Sequence, residues 1–322
     1  METLFICGDA ELSQDDKTIL VKTAGIKKRI AIESIHHIVL LSDDTLTTKF
    51  LSLCGTAGVR VSVFDYYGWW KGSFEPASSV GSGEIKLRQA KLVLDTSRRM
   101  AVAKEIISAA ISNIIENLRY HAYRGAELLK QPIRFIVAQK DKIPTIADTE
   151  TLMGLEGVSR KAYYEAWPAI DLDLAFTPRV KRPPNNRINC LLSYLNGMTY
   201  AAVRHEIAKT LLDETLSVLN APSSSRSSLS LDLSEPFKPI IVDRLIFKMV
   251  RKNMVCDNWF DERDGVCLLT EAGRRAVVEQ FAHHIDKVSG ERSLRSHMRQ
   301  TALSLQRHIL DIEEFDAYRV KR

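Results

Sequence analysis

Pro76-Ala77-Ser78-Ser79-Val80-Gly81-Ser82-Gly83 divides the chain into two unlike parts. The stretch is small and polar and has no large apolar anchor, so it has linker composition and marks a domain boundary. Before it, short runs rich in β-formers recur: Leu4-Phe5-Ile6-Cys7, Thr18-Ile19-Leu20-Val21, Arg29-Ile30-Ala31-Ile32 and His37-Ile38-Val39-Leu40-Leu41. Gly25-Ile26-Lys27-Lys28 reads as a turn between two of these runs. Ser42-Asp43-Asp44 offers N-cap oxygens to a helix over about 45–57, and Gly58 ends it. Residues 59–64 return as a strand. Tyr66-Tyr67-Gly68-Trp69-Trp70-Lys71-Gly72-Ser73-Phe74 closes the region as a hairpin whose aromatics make a sheet face, a subunit contact or a base-stacking platform.

After the linker the apolar period changes. Ile106, Ile107, Ile111, Ile114, Ile115 and Leu118 recur at three- and four-residue steps. Helices are predicted over 85–92 and 97–123, then at about 145–153, 159–166, 186–214, 231–252, 270–288 and 292–313. The expected architecture is α+β: a small N-terminal β-rich domain (1–76), a linker (77–84) and a larger all-α C-terminal domain (85–322). A wholly parallel α/β sheet is not expected from this order.

The 322 residues suit two domains. Hydrophobic content of 45% with a net charge of only +5 excludes a disordered chain. No apolar run is long enough for a membrane span. The opening METLFICGDAELSQDDK lacks a basic n-region and does not read as a signal peptide. The cysteines at 7, 54, 190, 256 and 267 are scattered and form no C-x-x-C, which argues against a disulfide framework or a cysteine zinc site. A reducing cytoplasm is the expected compartment. Residues 1–80 hold 8 Lys/Arg against 10 Asp/Glu, leaving 37 against 30 in the remainder. The basic excess therefore belongs to the helical part, as a partner such as nucleic acid would require.

Phosphate-loop, dinucleotide, zincin and nucleophile-elbow motifs are absent, and the histidines have no zinc-ligand spacing. Three segments remain. Glu156 follows the apolar Thr151-Leu152-Met153-Gly154-Leu155 and precedes Ser159, which looks like a helix start; Glu156 is expected in a helix–helix junction with Arg160 one turn away. Ser230-Leu231-Asp232-Leu233-Ser234-Glu235-Pro236-Phe237-Lys238-Pro239 reads as a helix opening, with Pro236 in the first turn. There Asp232, Glu235 and Lys238 share one face, either as dipole-favoured surface acids or as a site for a hard cation beside a phosphate. Arg179-Val180-Lys181-Arg182-Pro183-Pro184-Asn185-Asn186-Arg187 reads as a phosphate-contact strip or as an ordinary solvated loop.

Four stretches together resemble the CRISPR-associated adaptation integrase family. They are Glu156-Gly157-x-x-Arg160-x-x-Tyr163-Tyr164; Arg182-Pro183-Pro184-x-Asn186-x-x-Asn189-x-Leu191-Leu192-Ser193-Tyr194; Ser228-Leu229-Ser230-Leu231-Asp232-Leu233-x-Glu235-x-Phe237-Lys238-Pro239; and Val39-Leu40-Leu41 leading into Thr45-Leu46-Thr47-Thr48. The resemblance implies a metal-dependent DNA endonuclease and integrase that inserts short DNA fragments (spacers) into a CRISPR array, with a DNA 3′-OH as nucleophile. It implies Mg²⁺ or Mn²⁺ held by Glu156, the position of Asn220, and Glu235, with Asp232 supporting the site. The family has His where Val218-Leu219-Asn220 places Asn, and an amide oxygen suits a hard cation better than a soft one. Arg160 and Lys238 would contact the scissile phosphate; Arg182, Arg226, Tyr163 and Tyr164 are candidate DNA contacts. Implied partners are double-stranded and branched DNA, a second copy of the chain joined through the β domain, and a small dimeric CRISPR-associated adaptation protein; no membrane is implied. Two other readings stay open: a non-catalytic DNA-binding scaffold with an impaired metal site, and a standalone branched-DNA nuclease.

Overall fold

A computed structural model describes residues 2–320 except Ala24, Tyr66, Tyr67, 78–81, Thr177 and 221–227. Part of the expected linker, two aromatics of the closing hairpin, and Arg226 with most of its serine-rich surroundings lie outside the described residues. The fold is α+β, with strands gathered at the N-terminus and a mostly helical remainder. Two compact units divide the chain: Met1–Val80 with Val180–Ala201 and Cys256–His283, and Gly81–Arg179 with Ala202–Val255 and His284–Arg322. The first cut falls within the expected linker. The two later segments of the first unit carry no linker composition that would have set them apart.

The first unit holds two four-stranded sheets. One has the order β1 (Glu2–Ile6), β5 (Ile35–Leu40), β7 (Arg60–Phe64) and β8 (Trp70–Phe74). β1, β5 and β7 are mutually parallel, and β8 is antiparallel to β7. The parallel pairing of these three strands sits within a mixed sheet and leaves the expected α+β class standing. Its sign was the unbroken apolar run Ile38-Val39-Leu40-Leu41, because a strand covered on both faces does not alternate. The second sheet has the order β4 (Ile26–Ala31), β3 (Thr18–Thr23), β2 (Glu11–Asp15) and β6 (Thr45–Leu46). Gly25 turns the β3–β4 hairpin with φ +83°, a conformation in which a side chain would be strained. Ile26, Lys27 and Lys28 belong to the strand and not to the turn.

Helix α1 (Thr48–Ala57) begins later than expected. Its N-cap is Thr47, whose hydroxyl accepts from the Phe50 N–H, while Asp44 instead takes the Ala10 N–H and the Ser42 hydroxyl. Phe50 and Cys54 on α1 close the core with Leu12, Ile19, Ile38, Leu40 and Val61. Burying each large side chain stabilises by roughly 1.5–3 kcal/mol. The unit also includes α6 (Arg187–Ile207) as far as Ala201, and the hairpin β9 (Phe260–Arg263) with β10 (Val266–Leu269). That hairpin interrupts the sequence region expected to be all helix.

In the second unit, α3 (Thr96–Tyr123) is central and packs on α2 (Gly83–Leu94), α4 (Lys130–Lys140) and α5 (Thr149–Glu165). Asp95 caps α3 by accepting the Arg98 N–H, and the isoleucines that predicted the helix are buried. α4 has no counterpart among the expected helices. The two expected helices at 145–153 and 159–166 are one, α5. Asp148 caps it through the Thr151 N–H at 2.7 Å, and Ser159 does not start a helix but returns its hydroxyl to the Leu155 carbonyl at 2.9 Å.

The expected helix over 231–252 is broken. α7 (Ser228–Ser234) stops before Glu235, a turn follows, a π-helical turn spans Pro239–Asp243, and α8 (Arg244–Arg251) resumes. Pro236 and Pro239 have no N–H to donate, so the α-helical ladder cannot run through them. Pro236 therefore lies after a helix and not in its first turn. α9 (Glu271–Asp286), the short pair β11 (Val288–Ser289) and β12 (Arg292–Ser293), and α10 (Leu294–Ile309) complete the described elements. No described helix is long and apolar enough to cross a membrane.

Candidate active site

Glu156 and Arg160 lie one turn apart in the middle of α5, not in a junction. The Glu156 carboxylate accepts from Arg160 Nε at 2.5 Å. The same guanidinium reaches across to the helix break, where Nη2 donates to Glu235 Oε2 at 3.1 Å. Lys238 Nζ donates to the other Glu235 oxygen at 2.5 Å. Two acids from segments 79 positions apart in sequence are thus joined on one planar cation, and their oxygens lie within roughly 8 Å of each other. All four side chains are largely buried, at 14–18% exposure. The Tyr164 hydroxyl also lies beside the Arg160 guanidinium. Burial alone would lower the Arg160 pKa, but Glu156, Tyr164 and Glu235 together hold it well above the ordinary value, so the guanidinium stays charged.

Asp232 does not share the face of Glu235. It is fully buried and turns towards the segment before the serine-rich stretch. Its Oδ2 accepts the Val218 and Leu219 N–H groups at 2.7 and 2.9 Å. Its Oδ1 accepts the Asn220 N–H at 3.2 Å and the Asn220 side-chain amide at 2.6 Å. Burial pushes the Asp232 carboxyl up to about 6, against the pull of these donors. Asp232 is therefore an anchor for the Asn220 backbone and side chain, which corrects the expected sharing of one face with Glu235 and Lys238 and takes it from the groups expected to react. With its amide nitrogen committed to Asp232, the Asn220 side chain keeps its carbonyl oxygen as an acceptor.

Tyr163 is 0% exposed and offers nothing to DNA, a correction to its expected role. Its ring packs edge-on to Trp167, while its hydroxyl meets the Asn117 amide at 3.0 Å and the Asp243 carboxylate. Tyr164 packs edge-on to Trp167 and Phe176, and burial raises its phenol to about 12. Its hydroxyl serves Arg160, so it helps to set the guanidinium and is not an open stacking surface. Arg182 belongs to the first unit, where its exposed guanidinium lies over the Trp69 ring at 3.9 Å from the centroid. The Trp70 indole donates to Ser73 Oγ at 3.1 Å. These described aromatics of the closing hairpin are thus occupied by intramolecular contacts. Arg226 lies outside the described residues.

Asp243 escaped the sequence reading. It closes the π-helical turn, is 1% exposed, and burial drives its carboxyl up to about 7 despite the nearby Arg160, Lys238 and Arg179 charges. The available signal was an acid ending the apolar run Ile240-Ile241-Val242. An acid in that position is rarely buried without partners.

Among the described residues, no group of three or more His, Cys, Asp or Glu is placed to hold a metal ion. At position 220 this chain carries an amide, which is neither acid, thiol nor imidazole. The oxygen donors that are present, two carboxylates and one amide carbonyl, fit a hard divalent cation such as Mg²⁺ or Mn²⁺. A cation binding there must compete with Arg160 for Glu156 and Glu235.

A CRISPR-associated endonuclease from Moorella thermoacetica is 34% identical over 99% of both chains. A second, from Clostridium perfringens, is 36% identical over 90% of this chain and 88% of its own. The solved structure of a CAS1 protein from Thermotoga maritima superposes with a TM-score of 0.87 at 26% identity, covering 98% of this chain and 100% of that one. Residues 4–283 match the family described as CRISPR associated protein Cas1. With that match across the acids on α5 and at the helix break, the chain belongs to the Cas1 family.

Proposed function

We propose that the chain is a divalent-metal-dependent DNA endonuclease and integrase that joins short DNA fragments to a CRISPR array. The observation that carries this reading is the convergence of Glu156 and Glu235 on Arg160, with Lys238 beside them. Glu156, Glu235 and the Asn220 amide oxygen would hold Mg²⁺ or Mn²⁺. The ion, when bound, supplies polarisation of the scissile phosphate and charge for the leaving oxygen.

The chain's own residues do the rest. Arg160 and Lys238 are fixed cations in a largely water-poor setting, where their attraction for a phosphate exceeds that of exposed side chains. Arg160 presents a planar fork suited to two phosphate oxygens. Glu156, Glu235 and Tyr164 restrain that fork before substrate arrives, so little reorganisation is needed. No serine or cysteine nucleophile is required, because a DNA 3′-OH attacks in transesterification and water attacks in cleavage. The proposed partners are duplex and branched DNA, a second copy of the chain, and a small dimeric adaptation protein.

The test is cleavage of a branched DNA by the purified protein in Mg²⁺ or Mn²⁺. Glu156→Ala and Glu235→Gln should abolish it, and equal rates in wild type and Glu156→Ala would overturn the site assignment. The replacement of the family's His by Asn220 motivates the second reading, a DNA-binding scaffold. Such a scaffold would bind DNA with no dependence on metal and show no cleavage.

A further inference from the structure

The break that carries Glu235 and Lys238 is held from outside by side-chain amides. Asn113 and Asn117 lie one turn apart on α3 and are buried, at 0% and 2% exposure. The Asn113 amide nitrogen donates to the Pro236 carbonyl at 2.7 Å and to the Tyr318 carbonyl at 3.0 Å. Its oxygen accepts the Val320 N–H at 2.9 Å. The Asn117 amide nitrogen donates to the Pro239 carbonyl at 2.7 Å and to the Tyr163 hydroxyl at 3.0 Å. Its oxygen accepts from Arg244 Nε at 2.7 Å. Every amide hydrogen on both residues is used, and each residue grips one of the two prolines that flank Phe237 and Lys238.

The grip answers a local shortage. In an α-helix the Ile240 N–H would bond the Pro236 carbonyl, but here it turns to Phe237 O at 3.0 Å. Asn113 supplies the donor that the shifted ladder withholds. A buried carbonyl without a donor is costly, so the amides stabilise the particular broken conformation seen here. The chain end takes part as well: the Tyr318 ring stacks on Phe237, with centroids 5.1 Å apart and planes 4° from parallel. Arg319 pairs with Glu105, and the Ala317 N–H donates to the same carboxylate at 3.0 Å, fixing this segment on α3.

We propose that Asn113 and Asn117 are positioning residues for Glu235 and Lys238, and that the C-terminal segment Phe315–Val320 acts on the same turn through Asn113 and Phe237. The effect on catalysis rests on the nuclease reading above, whereas the effect on the turn does not.

The test uses two variants of the full chain and two measurements. Asn113→Asp keeps the shape but presents oxygen to the Pro236 carbonyl. Val320→Pro removes one N–H donor 85 positions away in sequence from Glu235. Hydrogen exchange of the 237–242 amides should accelerate about tenfold in Asn113→Asp and by a smaller factor in Val320→Pro. In a branched-DNA cleavage assay with Mn²⁺, kcat should fall about tenfold in Asn113→Asp while KM stays within about twofold. Unchanged exchange in both variants would overturn the clamp. Faster exchange with unchanged kcat would overturn the positioning role, leaving a structural one. Should Asn113→Asp not fold, Val320→Pro decides by the same criteria. An inactive wild type would count against the nuclease reading alone, because the exchange measurement needs no substrate.

Discussion

Replacing Arg160 by Gln tests the centre of the site more sharply than removing either acid. The guanidinium makes one charge-assisted hydrogen bond to Glu156 at 2.5 Å and one to Glu235 at 3.1 Å. Each such bond contributes about 1.5–3 kcal/mol, and release of the guanidinium from its own burial penalty offsets part of the sum. The two carboxylates, each only 18% exposed, are then left facing one another without their shared cation. The expected loss is about 3–5 kcal/mol of folding stability at neutral pH, measured by chemical denaturation. Added Mn²⁺ should recover more of that stability in Arg160→Gln than it adds to wild type, because the ion no longer competes with the guanidinium. At a hundredfold excess over the dissociation constant, bound ion stabilises by about 2.7 kcal/mol. Cleavage of branched DNA should fall even where stability is restored, since the phosphate loses its fork. A loss below about 1 kcal/mol with no extra response to Mn²⁺ would refute the view that Arg160 bridges the acids.

Asn220→His should raise affinity for Zn²⁺ or Ni²⁺ more than for Mg²⁺, because imidazole favours the softer ions; titration calorimetry on the metal-free protein reads this directly. His121 is buried against Phe247 and its pKa is depressed to about 4, by burial first and then by Arg251, Arg124 and Arg244. The unfolded chain takes up this proton near pH 6.5, so the His121 contribution is present above that pH and is lost as the pH falls towards 4. The stability of wild type relative to His121→Gln should therefore drop by about 3 kcal/mol between pH 7 and pH 4. Gly273→Ala would put a Cβ 2.3 Å from the Trp259 carbonyl oxygen. Backbone must move, and the variant should lose about 1–3 kcal/mol in thermal or chemical unfolding.

Much of the fold was legible because long helices announce themselves by period. The isoleucine spacing of α3 predicted its residues to within one position at the start, and the α+β division followed from the change of period across 76–83. The errors have local causes. Gly154 and Gly157 fall between the two helices expected where α5 is continuous, and a helix interior tolerates glycine at about 1 kcal/mol each. Ser159 imitated a cap because serine bonds equally well to the carbonyl four residues back. Pro236 imitated a first-turn proline, yet together with Pro239 it breaks the ladder. Among the site residues, Glu156, Arg160, Glu235 and Lys238 are joined in the fold. Asp232 shares their sequence neighbourhood but spends its carboxylate on the Val218, Leu219 and Asn220 donors.

The sequence by itself determined which chemistry is available: carboxylates at 156 and 235, cations at 160 and 238, and an amide at 220. It also determined that the polypeptide ladder could not continue through the two prolines. Only the tertiary structure decided which groups meet. The Glu156–Glu235 pairing spans 79 positions, and the Asn113 contact with Val320 spans 207. No period or spacing encodes such distances. They are set by how α3, α5 and the broken helix bury their apolar faces together, and the polar groups carried into that packing then take the partners it leaves them.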